Sequence, residues 1–590
     1  MEKSTLFYKK QFNLYSLKSQ FLKKQLFTLS LLRILVFLLV GLGIYFFFGA
    51  WKTVTAIAII GTTLFLLLLS RYNAIKLQKQ LAETLVTINE EELDIASGNF
   101  YHRDEGKIFQ NPQHAYSLDI DLFGRGSLFQ YINRTTIAEG SQKLAKSLTA
   151  NCIKNIKIRQ EAIKELGTKP KWRQRYTATS CLAHVETPAT DIIHWIENYK
   201  TAIPKTMQWL PSVFAVISAI LITLGILDII PKAILGYWLL IGLMVSGIYV
   251  KKINILASNT DKARDTFRQY AQLLDLIESE TFSSSLLQEK QKEITQENEK
   301  ASAIFKRFSK VLDTLDNRNN LIYAIFVNGY FLSDLKNSYQ VEQWISIYRN
   351  KVNDWFEVIS FFDAYNSLGN FAFNHPDYVF PEITNNNTII EAENLGHPLL
   401  NKNKRIDSDL TIKREQFFIV TGANMAGKST FLRTVSLHIA MANTGLPVCA
   451  VSSIYSPIKL ITSMRTTDSL TDDSSYFFSE LTRLKYIVDT IKTEPYFIVL
   501  DEILKGTNST DKAIGSRKFV EKLVASNATG IIATHDLSLC DIETEQDNVE
   551  NYYFDAEIIN NELYFDYTLK KGICQNMNAS FLLKKMEIVD

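Results

Sequence analysis

Cysteine is scarce and scattered in this chain. Five residues, Cys152, Cys181, Cys449, Cys540 and Cys574, are spread through 590 positions with no C-x-x-C pair. That excludes a disulfide framework or a thiolate zinc site and fits a reducing compartment. An excess of one charge is also missing. Lys plus Arg total 64 and Asp plus Glu 62, for a net charge of +2. A histone-like polycation is excluded, and any contact with nucleic acid must rest on a local patch. The chain also lacks the polar bias of disordered, collagen-like or mucin-like sequences, being 46% apolar and 21% charged. At about 150 residues per domain, its length allows roughly four domains.

What is present is unevenly distributed. Ile34 to Ala50 runs 17 residues without a charge, and after Trp51 and Lys52 the stretch Thr53 to Ser70 adds 18 more. A second pair follows, with 21 uncharged residues from Met207 to Leu227 and 18 from Ala233 to Val250. A bilayer span needs about 20 apolar residues. Two tight pairs flanked by Lys, Arg and Trp therefore predict four spans in two hairpins, in preference to buried core helices. A cleaved signal peptide fits poorly, because a second apolar run follows the first at once. Lysines and arginines crowd the outer ends of both pairs, whereas the turns hold only Lys52, Asp228 and Lys232. The positive-inside rule then places both termini and every long segment in the cytoplasm, as expected in a bacterial inner membrane. The basic stretch before Ile34 mixes Lys with Phe, Tyr and Leu. It reads either as a segment lying on anionic lipid or as a solvated lead-in.

Between the hairpins the pattern changes. Ile75–Leu93, Thr136–Leu166, Ile253–Asp316 and Val341–Leu368 are charged, glycine-poor and helix-favouring. Tyr101–Asp119 reads as a loop, and Pro376–Asn387 as a boundary. Beyond that boundary the continuous apolar runs 417–420, 496–500 and 530–534 have the character of buried parallel strands alternating with helices.

The chemistry sits in this last part. Phe417–Thr421 leads into Gly422-Ala423-Asn424-Met425-Ala426-Gly427-Lys428-Ser429, followed by a helix from about Thr430 to Ala442. This is G-x-x-x-x-G-K-S in its strand–loop–helix setting. Its backbone N–H groups suit phosphates, Lys428 suits the β and γ phosphates of a nucleotide, and the Ser429 hydroxyl suits Mg²⁺. Downstream, an apolar strand ends in Asp501-Glu502. The first carboxylate is a candidate Mg²⁺ ligand and the second a general base for the attacking water. A third strand ends at Thr534-His535, which places an imidazole near the γ-phosphate.

Taken together, these residues resemble the MutS family. Thr421 to Thr430 is similar to its TGPNMGGKST loop, with Ala423 and Ala426 replacing proline and glycine. Asp501 to Asp511 is similar to DEIGRGTSTYDG, Ala533 to Asp536 to ATHY, and Ser475 to Glu480 to the STFMVE signature region. Upstream, Asp121 to about Leu166 and Phe362 to Phe371 resemble the family's helical core, Gly396-His397-Pro398 its turn before the ATPase, and Tyr567 to Gly572 its Tyr-x-Leu-x-x-Gly stretch. The Phe-x-Glu mismatch-reading domain has no room before the core, and no clamp sequence stands out.

The resemblance implies a P-loop ATPase domain of the MutS/ABC type at 376–590 and an all-α core and lever. The core falls in two parts, 71–206 and 251–375, with a basic segment at 1–33 and transmembrane hairpins at 34–70 and 207–250. It implies a homodimer binding ATP and Mg²⁺. Residues 422 to 430 would hold the nucleotide, Ser429 and Asp501 the metal, and Glu502, His535 and Lys428 would carry catalysis. Ser475 and the Thr507-Asn508-Ser509 loop would act on the partner's nucleotide. The function it implies is a membrane-anchored ATPase that moves helical levers, with DNA binding allowed but without mismatch discrimination. A nucleotide-gated scaffold recruiting a protein partner, or a transporter-like ATPase, remains the alternative; the chain has no Leu-Ser-Gly-Gly-Gln signature.

Overall fold

The structure is a computed structural model that describes residues 2–182, 187–295, 299–316, 318, 320–423, 425–465, 476–505, 508–559 and 562–575. The helices before the boundary are α1 (Glu2–Phe46), α2 (Trp51–Ala96), α3 (Leu128–Ile132), α4 (Ala138–Thr149), α5 (Ile156–Thr168), α6 (Pro170–Cys181) and α7 (Ala189–Asn198). They continue with α8 (Leu210–Ile226), α9 (Ala233–Ser279), α10 (Ser285–Ile294), α11 (Ala301–Asp316), α12 (Leu321–Phe331) and α13 (Ser333–Asn374).

The first apolar pair forms the upper part of two long helices. α1 and α2 fold back on each other across the turn at 47–50. Gly61 makes the close approach possible, since a Cβ there would meet Val40 Cγ2 at 2.2 Å. Both helices run on well past their apolar runs, so each is apolar at one end and charged at the other. The N-terminal stretch matches neither expectation for it, since it is the first half of α1, docked on the helical core. Tyr8 is 2% exposed, and its hydroxyl donates to Asn374 Oδ1 at 2.7 Å. The Phe7 and Tyr8 rings pack edge-on against Phe373.

The second apolar region differs from a simple hairpin. Among the described residues three helices, α1, α2 and α9, are long and apolar enough to cross a bilayer, against the four spans expected. α8 has only 17 residues, about 25 Å at 1.5 Å per residue, against a hydrocarbon core of about 30 Å. The apolar helix α12, unseen in the sequence, packs on both α8 and α9. A Cβ on Gly242 of α9 would lie 2.1 Å from the Gly329 carbonyl of α12, so the two backbones touch. Ser218 of α8 donates to the Tyr330 carbonyl at 2.6 Å and accepts from Trp238 Nε1 at 2.7 Å. The apolar windows of α1, α2 and α9 are 0%, 6% and 6% buried within the chain.

α13 is the axis of the helical core. Its second half is buried on every side, against α4, α5 and α11 among others. An aromatic cluster of Phe267, Phe305, Phe308, Trp344, Trp355 and Phe356 fills the space towards α9 and α11. Asp363 of α13 accepts hydrogen bonds from Thr136 N, Thr136 Oγ1 and Ile137 N at 3.0, 3.1 and 3.2 Å. It thereby satisfies orphan groups at the start of α4. Glycine is required opposite it, since a Cβ on Gly140 would meet Asp363 Oδ2 at 2.1 Å.

Beyond α13 the chain becomes α/β. Its strands are β1 (Glu382–Ile383), β2 (Thr388–Leu395), β3 (Ser408–Lys413), β4 (Phe417–Gly422), β5 (Ser452–Tyr455) and β6 (Lys459–Ser463). They continue with β7 (Tyr496–Asp501), β8 (Thr529–Ala533), β9 (Val549–Phe554), β10 (Glu557–Ile559), β11 (Glu562–Tyr564) and β12 (Lys570–Lys571). The helices here are α14 (Lys428–Thr444), α15 (Tyr476–Thr490), α16 (Ser509–Ala525) and α17 (Ile542–Glu545). The main sheet has the order β12-β9-β4-β8-β7-β6, with β9, β4, β8, β7 and β6 parallel. The wholly buried β4 lies between β8 and β9, which explains its unbroken apolar sequence. A smaller sheet, β1-β5-β2-β3, went unread in the sequence because its strands are short and mixed in polarity.

The core grips this domain through the loop before α3. Asp119 accepts from Thr462 Oγ1 and from Arg465 N, and Asp121 pairs with Arg433 of α14 at 2.9 Å and with Arg465 at 2.7 Å.

Asp363→Ala strips the acceptors from two backbone N–H groups, and each buried unsatisfied donor costs about 1–3 kcal/mol. The apparent melting temperature of the solubilised protein should fall clearly. Gly140→Ala should destabilise the parent strongly and the Asp363→Ala background less, because the 2.1 Å clash with Asp363 Oδ2 is gone and only the Cβ, at 2.8 Å, remains. Equal effects of Gly140→Ala in both backgrounds would contradict this packing.

Candidate functional site

Three parallel strands aim their C-terminal ends at one place. β4 delivers the loop 422–427, β7 delivers Asp501 and Glu502, and β8 delivers Thr534 and His535. This is the edge at which open α/β sheets hold their ligands. Two glycines make the loop feasible. Gly422 has φ +146° and Gly427 φ +106°, and a Cβ on Gly422 would lie 2.6 Å from the Phe554 carbonyl. Lys428 opens α14, so the loop ends at a helix N-terminus.

The side chains converge closely. Lys428 Nζ donates to the carbonyls of Gly422 and Ala423 at 2.6 and 3.0 Å. Burial pulls its pKa down, against the pull of Glu502 and Asp501. Ser429 Oγ donates to Asp501 Oδ2 at 2.7 Å. The Asp501 pKa is raised, chiefly by burial. Glu502 Oε1 lies 2.8 Å from His535 Nε2. That hydrogen bond leads the causes that bring the Glu502 pKa down to about 2. Lys428 Nζ is 3.3 Å from the same His535 nitrogen. An Nε2–H that donates to Glu502 has no lone pair for the lysine, so the Glu502 bond excludes one from Lys428.

Glu502 sits on an unusual backbone, at φ +47°, with Leu504 at φ +59°. Non-glycine residues adopt this region at a cost. The cost is offset by two fixings. Glu502 N donates to the Ala533 carbonyl at 3.0 Å, and the buried Glu480 carboxylate of α15 accepts from Leu504 N and Lys505 N at 2.6 and 3.1 Å. Glu480 therefore holds the segment that presents Glu502, a role its sequence position did not reveal.

Beside the loop opens a cavity of about 520 Å³. Ala423, Met425, Gly427, Lys428, Ser429, Thr430, Glu502 and His535 line it. Gly422 and Ala426 shape the loop behind this wall, and Ala426 is buried. Asn424, Ser475 and Thr507 lie outside the described residues. The far wall comes from His397, Lys404, Ile406, Phe554 and Tyr567, which sequence reasoning did not assign to a site. His397 and Tyr567 fell inside stretches noted only as family-like. A polar, phosphate-sized end with lysine and helix N-terminus, next to a partly aromatic end, has the form of a nucleotide site.

The parallel sheet with a glycine-rich loop between β4 and α14 is the arrangement found in P-loop domains. Comparison with known proteins finds relatives of this part of the chain. The model of MutS domain V matches residues 418–586. The chain is 34% identical over 224 residues to MutS protein homolog 4 of Homo sapiens, covering 36% of this chain and 23% of that protein. It is 26% identical over 269 residues to the DNA mismatch repair protein MutS of Staphylococcus haemolyticus, covering 44% and 29%. To the MutS of Methanococcoides burtonii it is 32% identical over 212 residues, covering 34% and 24%. Residues 418–586 are thus similar to domain V of the MutS family, and the chain spans only about a quarter of the length of the relatives it matches.

Proposed function

We propose that this protein is a membrane-anchored MutS-family ATPase whose nucleotide cycle moves the long helices. The observation that carries the reading is the convergence of Lys428, Ser429, Asp501, Glu502 and His535 at one sheet edge. The Ser429–Asp501 oxygen pair fits Mg²⁺, which takes one or two protein oxygens and completes its shell with water and phosphate. Bound Mg²⁺ would neutralise charge on the phosphate oxygens of ATP. Lys428 would leave its carbonyl partners for the β and γ phosphates, with the 422–427 N–H groups around them. Glu502 is ionised at neutral pH and fit to take a proton from the attacking water. His535 fixes its orientation and faces the γ-phosphate. By family resemblance the working unit is a homodimer, with Ser475 and the 507–509 loop reaching the partner's nucleotide.

The exposed apolar ends of α1, α2 and α9, with lysines at their outer ends, support a bilayer anchor. α8 and α12 are too short to span alone and would be accommodated by packing on α9. In this reading both termini and the ATPase domain face the cytoplasm. DNA contact, suggested by the names of two of the relatives, would be driven by the phosphate backbone and blind to mismatches. A scaffold that gates partner recruitment by nucleotide state uses the same site and differs only in what the helices contact.

Lys428→Ala is expected to abolish ATP binding, whereas Glu502→Gln should bind ATP and turn over at least ~100-fold slower. Equal loss of binding in both would overturn the assigned roles. With its pKa near 2, Glu502 stays ionised at every pH above that, so it should impose no acid limb on kcat between pH 4 and 8. His535→Ala removes the main cause of the depression and should move an acid limb upward into the ordinary carboxylate range, read from pH–rate profiles. Cysteine labelling of intact cells should reach single cysteines placed at 52 and 230 from outside and leave positions 79 and 290 protected. Release of the protein by alkaline carbonate would contradict the anchor.

A further inference from the structure

From Lys3 to Ala82 the chain contains no acidic residue, whereas eleven lysines and arginines fall in the same stretch. Two of them stand at the edge of the apolar runs. Arg33 immediately precedes the run that begins at Ile34, and Arg71 immediately follows the run that ends at Ser70. The pairing of α1 with α2 brings them to one level. A Cβ on Gly61 would meet Val40, and Ser19 donates to Glu83 Oε1 at 3.4 Å. In that register Arg33 and Arg71 lie within one turn of each other along the hairpin, about 5 Å. The same register sets Lys24 level with Lys76, about 10 Å further from the apolar end.

Arg33 is held in place by rings and left without a counter-ion. Its guanidinium carbon lies 5.2 Å from the centre of the Phe65 ring and 5.0 Å from that of Tyr72. Its Nε is buried, but the terminal nitrogens Nη1 and Nη2 keep exposed surface. They make no hydrogen bond or ion pair among the described residues. A guanidinium stacked on aromatic faces is pre-organised for bidentate recognition of phosphate. Arg71 is the chain neighbour of the same Tyr72, about 3.8 Å away at Cα, and its side chain is exposed. Lys24 and Lys76 are exposed as well, and none of these three is ion-paired among the described residues. The first carboxylate beyond the run on α2, Glu83, is already paired with Lys79 at 2.7 Å.

We propose that Arg33 and Arg71 form a binding site for the headgroup of an anionic phospholipid. The inference rests on the reading of α1 and α2 as a bilayer hairpin. In that reading both arginines stand where hydrocarbon gives way to headgroups, and Tyr72 beside them is the aromatic residue that level favours. Arg33 would donate to two phosphate oxygens through Nη1 and Nη2, and Arg71 would close on the same phosphate from beside Tyr72. The choice of headgroup follows from the missing carboxylates. A zwitterionic lipid carries a cation next to its phosphate, and the hairpin has no acidic residue at this level to receive it. Lys24 and Lys76 lie about one Debye length below, where they repel that cation and attract a headgroup of net negative charge. A soluble phosphate would meet the same arginines but would bring no acyl chain to the exposed Ile34, Leu64 and Leu67 above them.

The test uses the full-length protein in a non-ionic detergent. It is titrated with phosphatidylglycerol and with phosphatidylcholine of the same acyl chains, and bound lipid is read by native mass spectrometry. Phosphatidylglycerol should bind at least ~10-fold tighter, the scale expected of two basic side chains at a headgroup. Arg33→Gln combined with Arg71→Gln should bring the two lipids to within ~2-fold of each other. Arg71→Gln alone alters only an exposed side chain, so it folds whatever Arg33 contributes to packing, and it should already lower the preference. Lys9→Gln with Lys10→Gln removes the same charge roughly 35 Å from the apolar edge and should leave the preference unchanged. Glycerol phosphate in large excess should not displace the lipid. Equal binding of the two lipids, a preference that survives loss of both arginines, or one lost equally in the Lys9 and Lys10 variant would overturn the proposal. Displacement by glycerol phosphate would overturn it too, by marking a site for soluble phosphate. Release of the protein by alkaline carbonate would remove the anchor and this site together, whereas a carbonate-resistant protein without headgroup preference would remove only the site.

Discussion

One buried ion pair fastens the parts of this molecule together. Glu92, near the end of α2, accepts from Arg134 Nε at 2.5 Å, from Asn370 Nδ2 at 2.8 Å and from Asn374 Nδ2 at 3.0 Å. Tyr8 of α1 and Arg173 of α6 bond to the same two asparagines. Five segments thus meet at one carboxylate. Burial alone would raise its pKa, but Arg134 and the asparagine contacts outweigh that and hold it below the usual range. A buried pair of this kind adds little net stability over an apolar contact, whereas loss of one partner costs several kcal/mol. Its value here is positional. It fixes the α1–α2 hairpin, whose far end is apolar and exposed, onto the same helix α13 that runs into the C-terminal α/β domain.

From α13 the mechanical path to the proposed nucleotide site is short. α13 holds the start of α4 through Asp363, α4 packs on α14, and α14 begins at Lys428. The loop before α3 makes a second link, since Asp121 pairs with Arg433 only five positions beyond Lys428. A change in the loop 422–427 therefore meets the helical core at two places. The proposed coupling of nucleotide state to the apolar helices needs no further connection than these contacts.

Much of this was legible in the sequence, and the failures have physical causes. The buried strands β4, β7 and β8 announced themselves by unbroken apolar runs, because parallel strands covered on both faces need no polar alternation. The loop and the carboxylates after β7 were readable because short-range geometry dictates them. β2, β3 and β5 alternate weakly in a small antiparallel sheet and carry no such signal. The four apolar runs were located correctly, but their helical lengths were not. α1 and α2 extend far past theirs because charged, helix-favouring residues continue the same helix. Pro211 sits in the first turn of α8, where it marks the helix start. α12 escaped notice because eleven residues are too few to resemble a span. Glu480, His397, Tyr567 and the Glu92 cluster depend on contacts between residues distant in the chain, which no local pattern encodes.

The proposed nucleotide site and the α1–α2 hairpin are joined through α13. Hydrogen–deuterium exchange on the Glu502→Gln protein in lipid nanodiscs, with and without Mg-ATP, tests it most directly. The account predicts that nucleotide changes exchange in the loop 422–430 and also in residues 83–92 and 366–374. Changes confined to the C-terminal α/β domain, with ATP shown to be bound, would contradict it.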